Sequence, residues 1–243
     1  MAPRHLLGRI TAAVVSASAV LSSTSIPSAS AAACPDVEVV FARGTGEPPG
    51  VGGVGQSFVD ALRAQLGPRT LDVYPVDYAA SSDFANREAF AATVIDGVKN
   101  AGAHVAATAA NCPGTKIVLG GYSQGAVVAG YVTADHAPAG IPASVAPAPL
   151  PASVAGHVTA VTLFGTPSAE FLKQYDAPDL VIGPSYTPKL LELCAAGDSI
   201  CDGTPGGQPG IAHASYGFNG MTAQAAGYAE DRIGSPPSDA SAG

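Results

Sequence analysis

Basic residues are scarce in this chain: eleven lysines and arginines stand against nineteen aspartates and glutamates among 243 residues. Arg4 and Arg9 precede every acidic residue, so nine basic and nineteen acidic groups follow Ala33, a net charge of −10. A surface of that sign repels phosphate backbones and anionic headgroups, which argues against nucleic acid or an acidic membrane as partner. Long apolar runs are also missing. Beyond the N-terminal segment no stretch approaches the roughly 18 residues of a spanning helix without a polar residue or a proline, so no integral membrane span is expected. There is no C-x-x-C, and no histidine stands within ligand distance in sequence of a cysteine pair, which removes the usual zinc patterns. No internal repeat is present. Histidine is rare, with only His104, His136, His157 and His213 after Ala33.

What is present begins with a leader. Arg4 and Arg9, an apolar run from Ile10 to Leu21 and a small-residue stretch ending Ala29-Ser30-Ala31-Ala32-Ala33 form a secretory signal peptide over residues 1–33, with the cut within Ala31–Ala33. An Ala-Ala-Ala-Cys junction resembles a lipoprotein site, but Ala31 stands where leucine is usual. Residues 34–233 read as one soluble domain and 234–243, all small, polar or proline, as a disordered tail. Export favours disulfides over free thiols. Cys194 and Cys201 flank a turn-rich segment and are paired on that ground, which leaves Cys34 with Cys112.

Val37–Ala42 reads as a buried strand, followed by the Gly- and Pro-rich loop Gly44–Gly55 and a helix from about Gln56 to Leu66. Leu71–Tyr78 is a second strand. Asn86 caps a helix to about Ala109, whose Phe90, Val94, Val98, Gly102 and Val105 share a face expected to pack on a sheet. Lys116–Gly120 and Val158–Phe164 are further strands, Leu190–Leu193 a short one, and Met221–Arg232 a closing helix. Ala137–Ser153 is loop by composition. Alternating strands and helices with apolar strands give an α/β fold, a mainly parallel sheet covered on both faces, whose chemistry belongs at the carboxyl ends of the strands.

The apolar strand Lys116–Gly120 runs directly into Gly121-Tyr122-Ser123-Gln124-Gly125, and a helical run leaves it. G-x-S-x-G between strand and helix is a nucleophile elbow, so Ser123 is the candidate nucleophile. A serine hydroxyl needs a neutral imidazole to take its proton and a carboxylate to orient that imidazole. His104 precedes the serine, against the chain order Ser, acid, His. His157 lies at the amino end of a strand, and His136 lies about 18 Å along the departing helix. His213, in a Gly/Pro-rich loop, remains as the base. Among the carboxylates between them, Asp198 alone follows a strand's carboxyl end and lies inside the Cys194–Cys201 clip, with Asp202 as runner-up. The backbone N–H of Gln124 and the N–H and hydroxyl of Thr45 are the candidate oxyanion donors. Gly50-Val51-Gly52-Gly53-Val54-Gly55 matches G-x-G-x-x-G, but Arg43–Pro49 separate it from the strand, so no dinucleotide site is expected there. No metal and no cofactor are expected.

With those residues placed, the chain resembles the cutinase family of α/β-hydrolases, in particular the cutinase-like proteins secreted by mycobacteria and relatives. The resemblance covers about Cys34 to Arg232 and rests on Cys34-Pro35, Ala42-Arg43-Gly44-Thr45, Gly121–Gly125, Cys194-x-x-Gly197-Asp198-x-x-Cys201 and His213 followed by Tyr216. It implies a lidless three-layer αβα sandwich with a five-stranded parallel sheet, the triad Ser123, Asp198 and His213, an oxyanion hole from Thr45 and Gln124, and hydrolysis of carboxylic esters through an acyl-serine. Plant-pathogen cutinases carry an aliphatic lip between acid and histidine, whereas this chain has Gly203-Thr204-Pro205-Gly206-Gly207-Gln208-Pro209-Gly210, with Ile211 the one strongly apolar residue. That difference points to soluble or micellar esters of short to medium acyl length. The expected protein is therefore a secreted, monomeric esterase acting on a lipid or other ester. The alternatives on the same residues are an acyltransferase, a phospholipase or acetylxylan esterase, and a non-catalytic secreted binding protein.

Overall fold

The computed structural model describes residues 33–234; apart from Ala33 and Gly234, the leader and the tail read from the sequence lie outside them. Five strands, β1 (Val37–Ala42), β2 (Leu71–Pro75), β3 (Lys116–Tyr122), β4 (Val158–Phe164) and β5 (Leu190–Leu193), pair in parallel in the order β2-β1-β3-β4-β5. Helices α1 (Gly52–Gln65), α2 (Arg87–Asn111), α3 (Gln124–Val132), α4 (Ala152–Ala155), α5 (Ala169–Lys173) and α6 (Met221–Ile233) complete the described elements with a 3-10 turn at Thr187–Lys189.

β1 is buried along its whole length, which is why it reads as a continuous apolar run rather than an alternating one. Val37, Val39 and Phe41 face α1 and α6, where they meet Phe58, Leu62 and Ala225. Val40 and Ala42 face α2 and α3, where they meet Val98, Val105 and Val128. The sheet is therefore covered on both sides, as a parallel sheet with crossover helices must be. Phe41, Phe58 and Phe164 form a triangle of rings with centroids 5.8–6.2 Å apart, Phe58 standing edge-on to Phe164.

The strand register decides where chemistry can gather. Ala42 pairs with Gly121, Tyr122 with Phe164, and Phe164 with Leu193, so β1, β3, β4 and β5 end at one level. From β1 the chain winds outward to β2 and then crosses to β3 on the other side. The switch point between β1 and β3 is the natural crevice of such a sheet.

Two boundaries differ from the sequence expectation by more than two residues, and one helix face has a different surrounding. α1 starts at Gly52, inside the segment read as loop, because the Glu47 carboxylate accepts the Gly53 N–H at 2.7 Å and caps the helix start. β2 ends at Pro75 rather than Tyr78; it is an edge strand, and beyond it the Asp77 N–H turns to the Asn100 side chain at 2.9 Å. In α2, capped by Asn86 as expected, Val98 and Val105 enter the core, whereas the turn carrying Phe90 faces a cleft.

Both disulfides pair as read, Cys34 with Cys112 and Cys194 with Cys201. The Cys34 sulfur is thus committed to a bridge and not free for acylation. The first bridge closes a loop with a sequence separation of 78, for which the chain-entropy model gives about 4.5 kcal/mol of stabilisation. Replacing Cys34 and Cys112 together by serine is expected to lower the unfolding free energy by about 2–5 kcal/mol, measured by urea denaturation, while the far-UV spectrum of the folded protein stays unchanged.

Candidate active site

Ser123 sits between β3 and α3 with φ 54° and ψ −117°, a region a non-glycine residue enters at a cost of about 1–3 kcal/mol. Backbone bonds hold it there: its N–H donates to the Phe164 carbonyl at 2.9 Å, and its carbonyl accepts from Ala126 and Val127 at 2.9 and 3.2 Å. The glycines of the motif are required by crowding. A Cβ at Gly121 would overlap the Gly125 carbonyl, and a Cβ at Gly125 would overlap the carbonyl oxygens of Ala42 and Arg43. The bare backbone of α3 thereby presses against the end of β1.

His213 reaches the serine from the segment after β5. Its Nε2 lies 2.9 Å from Ser123 Oγ and its Nδ1 lies 2.8 Å from Asp198 Oδ2. An ionised carboxylate only accepts, so Nδ1 carries the proton and Nε2 offers its lone pair to the serine. Asp198 is 1% exposed and His213 6%. The carboxylate is held from three sides: Ile200 N–H donates to Oδ1 at 3.1 Å, and Tyr216 Oη donates to Oδ2 at 2.6 Å beside the histidine. Its backbone lies in a turn, Asp198 N–H to the Ala195 carbonyl at 2.9 Å, clipped by the Cys194–Cys201 bridge. Tyr122, the first variable residue of the elbow, donates its hydroxyl to the His213 carbonyl at 2.7 Å. Burial, with Glu47 and Asp198 nearby, pushes the Tyr122 phenol up to about 12, so it stays a donor.

Gln124 heads α3, where the first N–H groups have no intrahelical acceptor and point out of the helix end. Thr45 lines the same cleft from the loop after β1. That loop is stiffened by groups the sequence reading passed over. The buried Arg43 guanidinium donates to the Glu47 carbonyl at 2.8 Å and the Tyr78 carbonyl at 2.5 Å, and the Tyr78 hydroxyl donates back to the Arg43 carbonyl. Glu47 accepts the Gly44 N–H at 2.6 Å. A further brace comes from the loop after β2, where Ala80, at φ 48°, accepts the Gly46 N–H at 2.7 Å and the Ser81 carbonyl accepts the Gln124 side chain at 3.2 Å. Both candidate oxyanion donors are thus tied to one short segment.

Ser123 and His213 open onto a cleft of about 440 Å³. Its walls are largely apolar, built from Phe84, Phe90 and Val94 on one side and Phe171, Leu172 and Tyr175 on the other. Phe84 and Phe90 meet Tyr175 at centroid distances of 5.2 and 6.5 Å, and an exposed Arg87–Asp176 ion pair joins the two sides. Ile211, the apolar residue of the Gly/Pro segment, points into solvent and is 88% exposed.

The remaining histidines lie elsewhere. His104 bonds Glu38 at 2.8 Å between α2 and β1, His136 is exposed beside Asp135, and the His157 carbonyl accepts from Ile117 at the amino edge of the sheet. Asp202 is exposed and accepts the Thr204 N–H. The residues that sequence reasoning missed are Tyr216 as a partner of Asp198, the Arg43–Glu47–Tyr78 brace and the aromatic walls. The spacing H-x-x-Y was visible, but nothing in it says where a phenol points.

A family model described as Cutinase matches residues 33–233. The chain is 53% identical over 170 residues to "Probable carboxylesterase Culp7" of Mycobacterium tuberculosis (strain ATCC 25618 / H37Rv), over 70% of this chain and 89% of that protein. It is 43% identical over 239 residues to "Carboxylesterase Culp1" of the same strain, over 96% and 98%. Among solved structures, Trichoderma reesei cutinase in complex with a C11Y4 phosphonate inhibitor is 30% identical with a TM-score of 0.61, over 83% of this chain and 78% of that one. Likeness of this extent, running from the first cysteine through the closing helix, makes the chain a member of the cutinase family.

Proposed function

We propose that this chain is a secreted serine esterase that cleaves carboxylic esters of short to medium acyl length through an acyl-serine. The observation that carries the reading is the unbroken hydrogen-bond chain Ser123–His213–Asp198 at the mouth of an apolar cleft. Relatives described as carboxylesterases support it. Export is supported by the leader read from the sequence and by two disulfides, and among the described residues no helix is long and apolar enough to cross a membrane.

Ser123 Oγ attacks the ester carbonyl carbon as His213 Nε2 takes its proton. The buried Asp198 carboxylate stabilises the imidazolium that forms. The carbonyl oxygen becomes an oxyanion and meets the Gln124 N–H and the Thr45 donors, the latter on a loop braced through Arg43, Glu47 and Ala80. The tetrahedral intermediate collapses, His213 gives its proton to the departing alkoxide oxygen, and the alcohol leaves an acyl-Ser123. Water then attacks with His213 again as base, releasing the acid and restoring the serine. The apolar walls receive the acyl chain, which favours an alkanoyl ester over an acetylated sugar, since an acetyl group has little to bury there.

Ser123→Ala is expected to abolish hydrolysis of a fluorogenic butyrate ester and labelling by a serine-directed organophosphonate; turnover equal to the wild type would refute the nucleophile. Asp198→Asn should lower kcat by about 10³–10⁴-fold while Asp202→Asn stays within a few-fold, measured on the same ester. Across straight-chain esters from acetate upward, kcat/KM should rise by up to about fourfold per methylene until the cleft is full, at about 0.8 kcal/mol per buried methylene. Phe90→Ala with Tyr175→Ala should flatten that rise and leave the acetate rate little changed.

A further inference from the structure

We propose that Tyr216 is a positioning residue of this machinery, acting through Asp198: its hydroxyl fixes the carboxylate and limits how strongly that carboxylate holds a proton on His213. The inference rests on the Ser123–His213–Asp198 reading above.

Tyr216 is fully buried, and its ring is fixed among Phe164, Tyr122 and His213 at centroid distances of 6.3, 5.8 and 6.2 Å. Its hydroxyl accepts the Ala195 N–H at 2.9 Å. With that lone pair engaged, its own proton points to Asp198 Oδ2, 2.6 Å away. The bond joins two ends of one functional unit: Ala195 and Asp198 lie in the clipped turn, and Tyr216 lies just past the histidine. Burial and the adjacent carboxylate both push the phenol upward, so it remains a neutral donor throughout the range in which an imidazole titrates. The other titratable groups near this cluster are His213 and Asp198 on the same segment, Tyr122 at the end of β3, and Glu47 from the β1 loop on the far side of Tyr122.

Oδ2 therefore serves two donors at once, His213 Nδ1–H and Tyr216 Oη–H. The phenol stabilises the carboxylate charge whether or not the imidazole is protonated. That reduces the extra attraction the carboxylate exerts on an imidazolium, and it keeps the proton on Nδ1 when the ring is neutral. Without the phenol, the carboxylate charge is directed at the imidazole alone. The ring then holds its second proton more tightly, and the neutral base appears only at higher pH. The carboxylate also keeps only the Ile200 N–H and the imidazole as partners, a looser seat that misaligns the imidazole in the transition state more than it weakens substrate binding.

The test is the pH dependence of kcat/KM on a soluble butyrate ester for wild type, Tyr216→Phe and a variant with 3-fluorotyrosine at position 216. Tyr216→Phe should lower kcat about tenfold with KM little changed and move the acidic limb up by about half a pH unit or more, the size expected for losing one hydrogen bond to a charged group. Fluorotyrosine, a stronger donor of nearly the same shape, should move the limb the opposite way. If Tyr216→Phe fails to fold, the fluorotyrosine variant alone decides. Acidic limbs that do not move, or that move together, overturn the Tyr216 assignment when Ser123→Ala is inactive. A Ser123→Ala protein that retains activity overturns the underlying reading instead.

Discussion

The structure turns on one close approach, the first turn of α3 pressed against the last carbonyls of β1. No side chain fits between them, and Gly125 supplies none. Because that contact brings two backbones together, it sets the position of Ser123 relative to the loop carrying Thr45 without depending on any rotamer. The shared carboxyl end of the strands extends this precision sideways: with β1, β3, β4 and β5 ending at one level, each following loop opens onto the same crevice. The strain at Ser123 is borne by backbone hydrogen bonds on both sides of it, one to β4 and two within α3.

A buried carboxylate is the second requirement, and it is costly unless its charge is met by donors. Asp198 has an imidazole, a phenol and a backbone N–H around it. The phenol also connects the site to the core, since Tyr216 stands edge-on to Phe164, which itself belongs to the ring triangle with Phe41 and Phe58. The acid is therefore anchored through covalent, polar and apolar contacts together.

The arrangement of the candidate site was legible in the sequence to a larger degree than the cleft beside it. Gly121–Gly125 after an apolar strand, the clip around Asp198 and the elimination of His104, His136 and His157 all follow from chain order and strand polarity, which are one-dimensional facts. Strands β4 and β5 were read at their observed limits for the same reason, as apolar runs between turn residues. The start of α1 was missed because a carboxylate from Glu47 caps it from outside the helix, and sequence periodicity does not register a partner that arrives through space. Phe90 was assigned to the sheet-facing side of α2 because the helical period is right; the helix simply extends past the sheet, and the same face there borders a cleft. Phe171 and Tyr175 come from a short helix and turn with too few residues to show a period.

The aromatic walls and the candidate reacting groups belong to separate parts of the chain. Ser123, Asp198, His213 and the candidate oxyanion donors sit at strand ends and in braced loops, whereas Phe84, Phe90, Phe171 and Tyr175 stand just before and on the overhanging start of α2 and on the segment around α5, joined by an exposed ion pair that adds little to stability. Mutations in the walls therefore escape the usual conflict between altering a site and unfolding the protein. A lineage built on this scaffold can drift in the acyl groups it accepts while its hydrolytic apparatus stays under undiminished constraint.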